Sequence, residues 1–463
     1  MRPGRAETAW IAAGCGLILT LVWHEMAVLG DGFWCIAAGD FVLRHHAFPD
    51  SDPFSFTSRH VPWLMDMPAF QIGGAWLAAH FGLLALMAAC TLPIASAAAI
   101  LWLTFARDTR ARLLAFPVAL LYVLVDADDL SARGQAFGDL GLAVLIILLV
   151  RLRRGRRVHP LWPLLLAGVW ANFHPSFVLA AALPVAFASA EWLEPRSRRA
   201  PVTTLLVFAG LAVVGACLNP ASLLLFVDIA ELCGDPTTAR VDLFTTPDFR
   251  RPQWLLPIAV ALVLLVVLAR RAKLERARAD AALLIGFVLA ECMARRYTTM
   301  LVAFEMVLVA EQAAASTSRS LTGRASVGLA GAAAVQALLS AGLLAERKDP
   351  LRDVPAESVQ AIERLGLPDH VLSPYHWGGY LDWVWAGRRK TFIDGRGQLF
   401  SNGVFDDAQR LSAAAPGARM LLDIYEIRTV LSESRGPLDR ALSKDDAWRE
   451  VHRDRLAALY VRR

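Results

Sequence analysis

Charge is what this chain has least of. Only 19% of its 463 residues are charged, where a soluble protein carries about 25%. With 56% hydrophobic residues and a mean hydropathy of +0.44, the chain falls in the membrane class. Its net charge of +5 is divided among short basic clusters between apolar runs, so nucleic acid is not an expected partner. The six cysteines form no CxxC pair, which leaves a metal knuckle or a redox motif without support. Most lie in apolar runs as small core residues; Cys35 and Cys233 both fall outside the membrane and are the pair open to a disulfide. No HExxH, Walker A or GxSxG pattern occurs, and no dinucleotide fingerprint, so soluble nucleotide chemistry has no basis. Internal repeats and low-complexity linkers are missing too.

What is present is a succession of apolar runs, several of them short; a run of roughly 17–25 residues can cross a bilayer as a helix. The first follows a basic start, "MRPGR", and is long enough to remain as an uncleaved anchor. The expectation is an all-α polytopic membrane bundle of about eleven spans, near 9–29, 82–106, 112–126, 136–151, 159–172, 176–191, 202–218, 254–270, 280–293, 297–315 and 325–344. With a cytoplasmic N-terminus, the connections "RDTRAR", "RLRRGRR", "EPRSRRA", "RRAKLERARA" and "STSRSLTGRAS" all lie inside and all are basic. The acid-bearing stretches 31–68, "DADDL" and 219–252 lie outside, as does the tail. Residues 1–344 are thus expected as a membrane domain with a first outer loop at 31–68, and 345–463 as an extracytoplasmic α/β domain. In that tail "SVQAIERLG", "GGYLDWVW" and "PLDRALSKDDAWREV" read as helices, and "HVLSP", "KTFIDGR", "RTVLSE" and "LAALYVRR" as strands.

The outer loop sets Asp31, Asp40, Asp50, Asp52 and Asp66 among aromatics and prolines, as in "FPDSDPFSFTSRHVPW", a density that suits packing at a membrane surface. Asp52, before Pro53, reads as turn chemistry or as part of a site. Asp31 reads either as the N-cap of a short helix starting at Gly32 or Phe33, or as a carboxylate at the bilayer lip that takes a proton or binds a divalent metal. Glu25, six residues earlier, either borders the same cavity or makes a polar contact between helices. Arg133 and Arg296 run against the orientation bias; a phosphate would need such guanidinium clamps, and Asp126, Asp128 and Asp129 are the alternative partners. Asn172 and His174 end an outward span before Pro175, where a histidine orients an acceptor, holds a metal or serves the helix end. In the tail, Gly378 and Gly379 allow close backbone approach, as a folding device or for a sugar.

Asp31, Trp34 and Gly39, then Pro49, Asp52, Pro53, Ser55 and Pro62–Trp63, resemble the first-loop pattern of a large set of uncharacterised bacterial membrane proteins. That set in turn resembles the GT-C superfamily of polyprenyl-phosphate-dependent glycosyltransferases, which includes protein O-mannosyltransferases and lipid A aminoarabinose transferases. "ARGQAF" around Arg133 is similar to the set's Arg-Pro-Gln motif, and "WANFHPSF" to its Trp-Ala-Asn-x-His motif; "LNP" at Asn219, "TTPDF", Arg296 and "GGYLDW…FIDGR" also fit. The resemblance implies an enzyme of the outer face with Asp31 as catalytic base, Asp52 and His174 on the acceptor side and Arg133 and Arg296 on the carrier phosphate. Asn172, Trp34 and Glu25 would stand beside the substrate. The implied partners are a polyprenyl-phosphate-linked sugar, a lipid, glycan or protein acceptor, and membrane lipids; no cofactor is implied with certainty, and a divalent metal is left open. The chain departs from the set at Cys35 (usually His), at Asp66–Pro68 (often His-Glu-Trp) and at Gly134 (usually Pro). A non-catalytic envelope scaffold and a lipid-carrier transporter or flippase are the alternatives.

Overall fold

The computed structural model describes residues 4–125, 127, 130–195, 202–235, 240, 245–270, 277–314, 323–345 and 348–463. Asp126, Asp128 and Asp129, and the basic stretches at 196–201, 271–276 and 315–322, lie outside the described residues. The first three-quarters of the chain are helical: α1 (Arg5–Glu25), α2 (Gly30–His45), α3 (Pro68–Phe81), α4 (Leu83–Phe105), α5 (Thr109–Leu124), α6 (Gln135–Arg153), α7 (Leu161–Ala171), α8 (Leu179–Glu191), α9 (Val202–Ala216), α10 (Leu224–Gly234), α11 (Pro252–Arg270), α12 (Ala277–Met293), α13 (Thr298–Ala314) and α14 (Gly323–Ala345). α1 lies along α14 and α4, α13 packs on α4, α5, α11 and α12, and α7, α8 and α9 form a neighbouring layer. Buried ion pairs tie the far end of α6 to two other helices: Arg153 meets Glu191 of α8 at 2.6 Å and Asp280 of α12 at 2.8 Å.

The expected count of eleven spans does not carry over. Among the described residues four helices are long and apolar enough to cross a membrane, namely α1, α4, α6 and α11. The other runs were read from hydrophobicity, which does not give helix length. α5, α12 and α13 have 16 or 17 residues and reach about 24–26 Å, short of a hydrocarbon core of about 30 Å. α12 also carries Asp280 and Glu291, and α13 Glu305 and Glu311. The stretch 31–68 is also less of a loop than expected, because α2 occupies its first half.

The tail comprises α15 (Ala356–Arg364), β1 (Val371–Leu372), α16 (Tyr375–Trp385), α17 (Val404–Ser412), α18 (Ala418–Ile424), β2 (Thr429–Glu433), α19 (Pro437–Leu442), β3 (Trp448–Arg453) and β4 (Ala457–Arg462). Its four-stranded sheet runs β1-β2-β4-β3, with β1 parallel to β2 and the other pairs antiparallel. Two expectations fail here. "DAWREV" opens as an edge strand paired with β4, not as a helix. "KTFIDGR" is an extended segment with isolated bridges from Thr391 to Ser55 of the first outer loop and to Val371 of β1, too short a pairing to make it a strand of the sheet. Phe56 N donates to Thr391 O, and Thr391 N to Phe54 O, each at 3.0 Å.

Helix α16 crosses α2 at glycines, and this crossing carries the tail onto the first loop. A Cβ on Gly379 would overlap the Gly30 carbonyl, and one on Gly378 the Ile393 carbonyl. Around them Phe33 packs on Tyr380 and Trp383 at 5.1 and 5.4 Å. Gly379→Ala is therefore expected to cost about 1–3 kcal/mol, as overpacking does, read as a lowered Tm of the full chain in detergent; an unchanged Tm would mean that the crossing tolerates a methyl group.

Candidate active site

Asp31 is the second residue of α2, whose N-cap is Leu29. The capping role considered for it falls away, and its side chain turns toward the segment before α6. Oδ2 accepts from Arg133 Nη1 at 2.9 Å, and Oδ1 accepts from Trp34 Nε1, one turn on, at 3.3 Å. Arg133 is set there by the backbone: Ala27 N donates to Leu130 O at 3.1 Å and Ala132 N to Ala27 O at 2.8 Å. The Asp31 side chain is 41% exposed and that of Arg133 13%, so the carboxylate faces open space with the guanidinium behind it. Arg133 Nη2 is buried with no hydrogen-bond partner among the described residues. The departure at Gly134 has a steric cause. A Cβ there would overlap the Phe173 carbonyl oxygen, so neither proline nor alanine fits.

The open space is a cavity of about 810 Å³ between the bundle and the tail. Asp31, Trp34, Asp66, Arg133, Arg240 and Arg295 line it from the bundle side. From the tail come Tyr375, His376, Gly395 and Glu433. Gly395 covers the carboxylate so closely that a Cβ would lie 2.5 Å from Asp31 Oδ1. Arg240 pairs with Asp406 of α17, Arg295 lies over the Trp254 ring at 5.8 Å, and His376 is 3.6 Å from Glu433. Guanidinium groups at this density suit a phosphate or diphosphate.

The other residues singled out in the sequence divide. His174, like Arg296, does not line the cavity: burial pushes its pKa down to about 3, and the charges of Arg296 and Arg133 add to the effect. It is neutral at physiological pH, and its Nδ1 lies 2.7 Å from Ser176 Oγ, at the cap of the short turn Pro175–Val178. Arg296 is likewise lowered, by burial first and also by Arg133. Asn172 donates to Gly168 O at 2.8 Å and ends α7. Glu25 is not at this site. It lines a separate cavity of about 380 Å³, and of the residues around it only Leu29 also touches the larger one.

Asp52 is not offered to a substrate. Its side chain is fully buried. Oδ1 accepts from Phe54 N at 3.0 Å and from Arg396 Nη2 at 2.7 Å, and Oδ2 accepts from Ser55 N at 3.1 Å. Arg396 in turn grips Asp394 at 2.6 Å and lies over the Trp63 ring at 4.5 Å. The reading of Asp52 as a turn residue thus describes its place, with a long-range salt bridge added.

Two features went unread in the sequence. Asp66 was noted as one of the loop's acids and as a departure but given no role, yet it lines the cavity; burial, then the charge of Asp228, pushes its pKa up to about 7. The tail's contribution went unread because nothing local announces contact between residues more than three hundred positions apart. For a metal, Glu357, His452 and Asp454 in the tail bring ligand atoms within 4.8 Å of one another. Asp454 is already engaged, by the Ser358 amide at 3.1 Å and by the amides of Leu456 and Ala457 at 2.7 Å, and none of the three lines the cavity. All six cysteines are free, Cys35 buried and Cys233 exposed.

No family model and no curated protein matches this chain. Solved structures do. The apo oligosaccharyltransferase of Archaeoglobus fulgidus superposes with a TM-score of 0.55 at 12% identity, over 92% of this chain and 69% of that one. The arabinofuranosyltransferase AftD from Mycobacteria superposes with a TM-score of 0.55 at 15% identity, over 98% of this chain and 40% of that one. The fold is that of the GT-C glycosyltransferases. At such identities the likeness is one of architecture. Within this GT-C fold Asp31 sits where the first apolar helix ends, under a tail docked across it.

Proposed function

We propose that the protein is a membrane glycosyltransferase that moves a sugar from a polyprenyl-phosphate carrier to an acceptor outside the cytoplasmic membrane. The observation that carries this reading is the carboxylate of Asp31, held by Arg133 and Trp34 on the wall of an arginine-lined cavity at the end of an apolar bundle. The acceptor hydroxyl lodges on Asp31 and is oriented for attack on the sugar's anomeric carbon. As the new carbon–oxygen bond forms, the hydroxyl's proton passes to a carboxylate of the cavity wall, the bond to the carrier phosphate breaks, and its electrons stay on the phosphate. Arg133, with an unpartnered Nη2, and Arg295 stabilise that charge where it develops. A lipid-linked donor is inferred because nucleotide sugars are made in the cytoplasm, while residues 31–68 and the tail 345–463 are proposed to face the periplasm. An open cavity favours catalysis over a scaffold, which would fill it.

The test is direct. Membranes containing the full chain are given a panel of radiolabelled polyprenyl-phosphate pentoses and hexoses, with nucleotide sugars in parallel. Label should enter a product only from the lipid-linked donors. Transfer from nucleotide sugars without a lipid carrier, or a reporter fused after residue 68 that is active in the cytosol, would defeat the proposal.

A further inference from the structure

Two carboxylates reach the cavity from the stretch between α1 and α3, and they are held differently. Asp31 has a donor on each oxygen, one of them a guanidinium. Asp66 stands just before Met67, the N-cap of α3. It is fixed through its backbone, its carbonyl accepting from Asn219 Nδ2 at 3.1 Å. The charge that bears on its side chain is that of Asp228 on α10, and its hydrogen bonds come from its own amide and that of Met67. No cation among the described residues forms an ion pair with it. Around it, Cys35 of α2 feels both Asp31 and Asp66, Glu231 acts on Asp228, and Arg133, Arg240, Arg295, Arg396, Tyr375, His376 and Glu433 line the same cavity.

Asp228 lines a second cavity, of about 850 Å³, beside the first. The two share a wall of Leu232, Arg240, Gln398 and Phe405. Asp66 and Asp228 thus form an acidic pair with one member on each cavity. A carboxylate next to a like charge and in no ion pair binds a proton more readily than one paired with a guanidinium.

We infer that Asp66 is a further catalytic residue of this site: it accepts the proton of the attacking hydroxyl while Asp31 anchors that hydroxyl, and Asp228 is the positioning residue that sets its basicity. This inference rests on the glycosyl-transfer reading. The step balances. The acceptor O–H bond breaks as its oxygen bonds the anomeric carbon, the proton passes to a carboxylate oxygen of Asp66, and the leaving phosphate departs with the bonding pair. Asp66 then gives up the proton to water. The matching of affinity to task is physical: burial and Asp228 bring Asp66 to about 7 and burial and Glu231 bring Asp228 to about 6, and a base works best when its pKa lies near the working pH. The pair titrates as a unit, so the measured midpoints belong to both residues.

The experiment uses the full chain in membranes with the lipid-linked sugar panel, across pH, beside infrared difference spectra of the protonated-carboxyl band, which need no substrate. The wild type should lose transfer as pH falls through about 7. Asp66→Asn should lower transfer by about 100-fold, abolish that acid limb and remove a carboxyl band that titrates near neutrality; Asp66→Glu should keep the limb. Asp228→Asn should move the limb to lower pH, since it removes a like charge, an effect that a merely structural role would not produce. Wild-type transfer with a limb that persists in Asp66→Asn would overturn the inference and leave the transfer reading standing. A wild type that transfers no sugar would remove that reading and, with it, the catalytic role of Asp66, whatever the infrared band does.

Discussion

Asp31→Asn is expected to reduce sugar transfer by about 100-fold, with the fold intact. The amide is isosteric, keeps an oxygen for Trp34 Nε1 and removes the charge. The Asp31–Arg133 pair is partly open to solvent, so the stability lost with its Coulomb attraction is small, on the order of 1 kcal/mol or less. The cost therefore falls on function. Arg133 loses the partner that aims its Nη1, and the acceptor hydroxyl loses the anion that orients it. Transfer from the lipid-linked donor, measured beside the Tm of the same preparation, checks this. Full transfer by a variant with an unchanged Tm would take Asp31 out of the mechanism, and the assignment of the cavity as an active site would go with it.

Asp31 and Arg133 were legible in the sequence for a shared reason. Each is an ionisable group where hydropathy and orientation disfavour one, so each asks for a partner or a substrate, and the structure supplies each with the other. α2 was legible because its apolar residues run on past Asp31. Asp52 misled, because an Asp-Pro turn inside a motif reads the same whether the carboxylate points to a ligand or to a buried arginine 344 residues away. Periodicity and turn chemistry report on neighbours within a few residues; the pairing of Asp52 with Arg396, and of Gly379 with Gly30, is set by tertiary packing. The count of eleven spans is not confirmed for a different reason: an apolar run reports composition, and α5, α12 and α13 are apolar yet only 16 or 17 residues long.

Arg396→Ala is expected to destabilise the full chain far more than Asp31→Asn does. Arg396 is the cation shared by Asp52 of the first loop and Asp394 of the tail, and all three side chains are at most 1% exposed. Removing one member of a buried ionic group strands the others, which costs about 3–5 kcal/mol. A third carboxylate raises the stakes. Asp382 is held well above the usual carboxylate range by burial and by the charge of Asp394, with Arg396 acting the other way, so it holds a proton in the folded state over a range of pH where the unfolded chain has released it. Without Arg396, Asp52 and Asp394 are left as buried carboxylates with no cation, and burial favours the neutral form of such a group. Raised carboxyl pKa values contribute stability that is present at low pH and lost as pH rises through them. The deficit of Arg396→Ala should thus be largest at pH 7 and shrink toward about pH 4, where the unfolded carboxylates also take up protons. Thermal unfolding of the full chain in detergent at the two pH values, with cleavage of the segment 46–67 by added protease as a second readout, gives the comparison. Arg396→Lys keeps the charge and loses the fork that reaches both carboxylates, so it should fall between wild type and Ala. A deficit that stays constant with pH would mean that Arg396 acts by packing on Trp63 and Phe54, and the picture of a charge latch joining tail to loop would have to be given up.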